Sequence, residues 1–232
     1  MNHIYYLGAI DRTGGKITWD FDQSRLLNNE ERGICMGLCA YWIKHHAQGN
    51  HLKNKINDDN VINKIKFLQN DEESFDPDML TLPNQVDSTT RFLARKGIHL
   101  LFDPVKKNYI FDSNVFYPNI ELYEFSEQAH NMINQFVRFR SCYVLILMHN
   151  LGYVEDKLAD DYSCSAHVTC LWIGNQQEDA CYFDPNHGEV WFDKRDKFIG
   201  FARAFFPGLM MRSRWSDWAL YPLTVAASST TR

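Results

Sequence analysis

The chain has 232 residues, 45% hydrophobic, 23% charged and 14% aromatic, so it excludes intrinsic disorder over most of its length and allows a ring-rich core. A net charge of −5 argues against a nucleic-acid footprint or a basic membrane patch. The longest apolar run, Cys142 to Met148, is a strand's length, far short of the ~20 residues that cross a bilayer, so no stable membrane insertion is expected.

The length suits a single domain over residues 1–232. The N-terminus has no ordered basic, apolar and small-residue regions, so no signal peptide is expected. The 6 cysteines are expected to be free thiols in a reducing compartment, because a chain this size does not need disulfides to fold.

In chain order, Ile4 to Leu7 reads as a short strand followed by a turn at Gly14-Gly15. Leu38, Cys39, Trp42 and His46 recur at helical spacing and predict a helix over 34–48. Val61, Ile62, Ile65 and Leu68 predict a second helix over 59–70, and Val86, Thr89 and Leu93 a third over 84–96, capped by Gly97. Residues 98–102 and 109–111 are strand candidates. A helix over 126–138 carries Ala129, Ile133, Phe136 and Val137.

From there the character changes. Residues 142–149 read as a buried strand, 167–174 and 180–184 as the arms of a hairpin, and 187–192 as a further strand. Phe198 to Phe206 is a short helix ended by Pro207-Gly208, and 218–225 is a last strand. The sum is an α+β fold on one core: a helical part over about 22–140 and an antiparallel sheet over about 141–226.

Cys35 follows Gly33 at the expected start of a helix. The positive end of the helix dipole favours a thiolate there, and the Cys35 N–H is free to donate to an oxyanion. Gly33 and Gly37 would leave room for a substrate. Cys39, one turn further in, has its N–H tied up in the helix and reads as a core residue.

His167 and Asp184 lie on the two arms of the hairpin. Pairing Ile173 with Ala180 sets Thr169 opposite Asp184 and makes His167 its diagonal neighbour on the same face. The carboxylate would then fix the imidazole's tautomer, and the imidazole could take the Cys35 proton. The competing reading is a core histidine bonded to a turn aspartate, with Asp184-Pro185-Asn186 as a β-turn.

An early helix-start cysteine, then a strand histidine, then a strand aspartate is the order of a papain-like cysteine peptidase. The segments GICMGLCAYWI, AHVTCLWI and YFDPNHGEVWF resemble the YopT/AvrPphB-type cysteine peptidases, bacterial effectors delivered into host cells. That resemblance implies a papain-like fold, a Cys35–His167–Asp184 triad and a host protein substrate, with no metal or organic cofactor. It also implies a side-chain amide upstream of the nucleophile that helps bind the oxyanion, for which Asn29 is preferred over Asn28. With only 34 residues before Cys35, self-processing is not expected.

The same triad would also serve a deamidase, transglutaminase or acyltransferase, and a non-catalytic papain-like binding domain is the reading in which Cys35 and His167 are core residues. Zinc held by Cys164, His167 and Cys170 is disfavoured, since a spacing of three along a strand turns His167 and Cys170 to opposite faces. His45 and His46 read as partners of the helix's last carbonyls. His187 reads as a rim or solvent-facing residue.

Overall fold

A computed structural model describes residues 2–27, 33–70, 85–106, 122–149, 166–175, 178–213, 215 and 217–226. The strand expected over 109–111 and the loop containing Cys164 lie outside them.

The described chain carries six α-helices, α1 (Asn2–Thr13), α2 (Cys35–Ala47), α3 (Asp59–Asn70), α4 (Gln85–Ala94), α5 (Leu122–Gln135) and α6 (Arg195–Ser213). Its strands are β1 (Lys16–Trp19), β2 (Ile98–Leu100), β3 (Val105–Lys106), β4 (Cys142–His149), β5 (Ala166–Ile173), β6 (Ala180–Asp184), β7 (Gly188–Phe192) and β8 (Asp217–Val225). They form one antiparallel sheet in the order β1-β7-β6-β5-β4-β8-β2, with β3 also on β8.

The central strands are apolar on both faces. In β4, Val144, Ile146 and Met148 join one cluster, whereas Tyr143, Leu145 and Leu147 join another. Helices cover each side of such a sheet. Tyr6, Ala9 and Ile10 of α1 share the first cluster with α5 and α6, while α2, α3 and α4 build the second. The expectation of one core is therefore corrected to two, divided by the sheet. The helices over 34–48, 59–70 and 84–96 and the strands over 142–149 and 180–184 stand within one or two residues of expectation.

Two other expectations are overturned. Ile4–Leu7 is helix, not strand. Its four adjacent apolar residues hid the stripe Tyr6, Ala9 and Ile10, spaced three and four apart, which is what the core buries; Ile4 and Tyr5 point outward. Pro207 does not end the last helix but lies inside α6. Proline there forfeits the bond to the Arg203 carbonyl. Phe198, Phe201, Ala202 and Phe205 before it and Leu209 and Met210 after it are all buried, and that burial carries the helix through. Val137, expected on the apolar face of α5, is exposed just beyond it.

Candidate active site

The hairpin register matches the expected pairing. Ile173 pairs with Ala180 and Cys170 with Phe183, which leaves His167 and Asp184 diagonal on one face at the start of β5 and the end of β6. The His167 Nε2 lies 2.9 Å from Asp184 Oδ1, and both side chains are buried.

The turn beyond β6 is built around the same carboxylate. Asp184 Oδ1 accepts the Asn186 N–H at 2.8 Å, and the Asp184 carbonyl accepts the His187 N–H at 3.0 Å. Gly188 then takes φ +93°, and a Cβ there would collide with the Trp19 carbonyl, so only glycine returns the chain into β7 beside β1.

Helix α2 reaches this corner from the other face of the sheet. The Cys39 thiol donates to the Val168 carbonyl at 3.4 Å, which lays α2 along β5. One turn earlier stands Cys35, half-buried and a free thiol. It lies close enough to the His167 ring to help hold that ring's charge. With Nε2 on Asp184, Nδ1 is the nitrogen left for the sulfur. The Ile34 side chain makes no cap bond and the first turn of α2 holds no acid, so within the helix itself no acidic side chain offsets the dipole's positive end near the sulfur.

Burial alone would discharge this imidazole. It works to lower the His167 pKa, but the charge and hydrogen bond of Asp184, with Cys35, outweigh it and raise the value from 6.5 to about 10. Burial likewise works to raise Asp184, yet His167 and then His187 hold its carboxyl well below the usual 3.8. The Trp215 ring lies nearly parallel over His167, with centroids 5.5 Å apart, and keeps water from that side.

No family model matches the chain. A curated relative, cysteine protease yopT1 of Yersinia enterocolitica serotype O:8 / biotype 1B, is 26% identical over 95% of this chain and 64% of its own length. Cysteine protease YopT of Yersinia enterocolitica is 28% identical over 82% of this chain and 57% of its own length. The chain is thus similar to the YopT-type cysteine proteases over most of its length. It spans about three-fifths of the length of these relatives. The crystal structure of the Pseudomonas avirulence protein AvrPphB superposes with a TM-score of 0.52 at 12% identity, over 83% of this chain and 92% of that one. The fold is thus the α+β, papain-like one of AvrPphB.

Of the residues expected from the YopT-type resemblance, Cys35, His167 and Asp184 are brought together, while Asn28 and Asn29 lie outside the described residues. Near the start of α2 stands another amide, Gln23, which the sequence reading missed. Its Oε1 accepts the Ile34 N–H at 2.9 Å, its Nε2 donates to Asn186 Oδ1 at 2.6 Å, and its own N–H donates to the Pro185 carbonyl at 2.7 Å. Gln23 is therefore a strut between the segment leading to Cys35 and the turn after Asp184. Nothing in its polar surroundings in the sequence signals that role.

Glu189 was also missed. It is buried, accepting the Trp42 indole N–H at 2.6 Å and the Thr18 hydroxyl at 2.6 Å, and so ties α2 to β7 and β1.

Several smaller expectations change. Gly37 leaves no room for substrate, because a Cβ there would meet the Ile65 carbonyl oxygen of α3 at 2.8 Å. His46 does not serve the helix end but stacks on Trp42 and bonds the Tyr143 hydroxyl at 2.8 Å. His187 is buried rather than solvent-facing. Cys39, by contrast, is the core residue that was expected, its thiol pushed well up by burial. Among the described residues no three acidic, cysteine or histidine side chains are placed to hold a metal.

Proposed function

We propose that the chain is a cysteine peptidase with Cys35 as nucleophile, His167 as acid and base, and Asp184 as the group that orients His167. The observation that carries this reading is the buried imidazole bonded to Asp184 at 2.9 Å and held charged by Asp184 with Cys35.

In the proposed reaction, the Cys35 sulfur attacks the scissile carbonyl carbon while its proton resides on His167. The oxyanion that forms takes a hydrogen bond from the Cys35 N–H, free at the helix tip, and in this proposal from Asn29. His167 then protonates the leaving amine, a water releases the acyl group with His167 as base, and the thiol is restored. Trp215 shields the imidazolium–carboxylate pair from water, which strengthens it.

On this reading residues 1–232 act as one catalytic domain, and the target is a host protein reached by delivery from a bacterium, as the YopT-type likeness implies. No helix among the described residues is long and apolar enough to cross a membrane.

The test is alkylation together with proteomics. Iodoacetamide is expected to label Cys35 first. Cys35→Ala and His167→Ala should each fold and cut the turnover of host-lysate proteins by about a thousandfold or more. Mass spectrometry should find new peptide termini. Faster labelling of Cys39, turnover surviving in Cys35→Ala, or one-dalton shifts without cleavage would overturn the proposal.

A further inference from the structure

His187 is a buried histidine that the proposed reaction does not use. Its ring Nδ1 lies 3.1 Å from Asp184 Oδ2. The ring packs on Tyr6 at 4.6 Å, meets Phe205 edge-on at 5.7 Å and lies parallel to His3 at 6.3 Å. With Asp20, Phe21, Asp22, Arg25 and Asn186 it also lines a groove of about 660 Å³. Asp184 therefore sits between two imidazoles, one on each carboxylate oxygen.

The turn does not need this ring. It is already closed by the His187 N–H on the Asp184 carbonyl and by the Asn186 N–H on Oδ1. What the ring supplies is a partner for Oδ2. The other group there, the Tyr182 hydroxyl, stands at 3.3 Å, long for an O–H donor. A carboxylate gripped at only one oxygen can swing about its Cβ–Cγ bond, whereas one gripped at both keeps Oδ1 on His167. Burial works to raise the Asp184 carboxyl, and His167 followed by His187 more than reverses it.

We infer that His187 is a positioning residue, donating its Nδ1–H to Asp184 Oδ2 and so fixing the carboxylate that orients His167. This rests on the Cys35–His167–Asp184 reading above. Among the described residues, the titratable and charged groups around the His187 ring are Asp184 from β6, Tyr6 and His3 from α1, and Asp20, Asp22 and Arg25 along the groove; α6 contributes the Phe205 ring.

The test compares His187→Phe, which keeps a ring but removes the donor, with His187→Asn, which removes the ring but keeps an N–H near the Nδ1 position. Cys35 alkylation by iodoacetamide is followed against pH in the whole chain. His187→Phe is expected to slow labelling about tenfold at neutral pH, a size typical of losing the group that orients a functional histidine, and to move the acid limb of the profile to higher pH. His187→Asn should recover most of the loss.

A purely packing role gives the opposite order, with Asn worse than Phe. That result, or a wild-type rate and profile in His187→Phe, overturns the inference. Should His187→Phe fail to fold by circular dichroism, imidazole ¹⁵N resonances of the wild-type chain decide: a proton on His187 Nδ1 supports the inference, and a proton on Nε2 alone overturns it. Labelling that persists in Cys35→Ala would sink the triad reading and this inference with it. Labelling that depends on Cys35 and His167 while His187→Phe is silent sinks this inference alone.

Discussion

Asp184 is a carboxylate cut off from water that nevertheless stays ionised, because three side chains and one backbone N–H donate to it. Its pairing with His167 has a definite pH signature. The His167 pKa is raised from 6.5 to about 10, so its share of the stability is complete below about pH 6.5 and fades as pH climbs through 10. The Asp184 pKa is depressed, so its share is present above about 3.8 and fades as pH falls. Asp184→Asn should therefore cost most between those limits, on the order of 3 kcal/mol near pH 5, where the buried imidazolium loses its counter-charge. The penalty should shrink above pH 10. Thermal melts of the two proteins from pH 4 to 11 check this, and a penalty independent of pH would show that the pair is not ionic. The His167–Asp184 contact was legible because strand parity is a short-range property of two arms and one loop. His187 was not, because one residue beyond a turn the direction of a side chain depends on what packs there, here Tyr6 and Phe205.

At the scale of elements, α2 carries Cys35 to its place, and its position is set by contacts distant in sequence. The Trp42 indole is bonded to Glu189 of β7 and its ring lies parallel to Phe183 at 5.7 Å. Gly37 lets the backbone of α3 come against the helix. Gly37→Ala would place a methyl 2.8 Å from the Ile65 carbonyl and 3.1 Å from its Cγ2, so α3 must move away. The expected cost is about 1–3 kcal/mol in urea unfolding, although alanine is the better helix former. A stabilised variant would mean that α2 and α3 are not in close contact. The helix itself was readable from its 3.6-residue stripe, but the role of its small residue was not, because sequence spacing does not show whether a gap is filled by a substrate or by a neighbouring backbone. The same limit explains α6, where local chemistry says that Pro207 stops the helix and two flanking runs of buried rings and aliphatics override it.

Across the whole molecule, a single sheet separates two apolar clusters. Leu145 and Ile146 are neighbours in β4, both fully buried, and they point into opposite clusters. Leu145→Ala and Ile146→Ala should each cost about 2–5 kcal/mol. Because the sheet belongs to both clusters, each variant should still unfold in one transition with fluorescence and circular dichroism coincident. Separate transitions would show two independently stable halves.

The corner that holds Cys35, His167 and Asp184 is a product of this layering. The histidine and aspartate come from the sheet, and the cysteine comes from a helix laid across its opposite face.

The sequence by itself determined the α+β class, the main strands and helices of the sheet and its second face, and the hairpin register that sets His167 beside Asp184. These follow from periodicity, turn chemistry and parity, which act over a few residues at a time. The tertiary structure decided that the first apolar run is a helix, that the last helix passes through its proline, that the core is double, and that Gln23, His187, Glu189 and Trp215 make the contacts they do. Each of those depends on which surfaces meet across many tens of residues of chain, and burial there outweighs local preference.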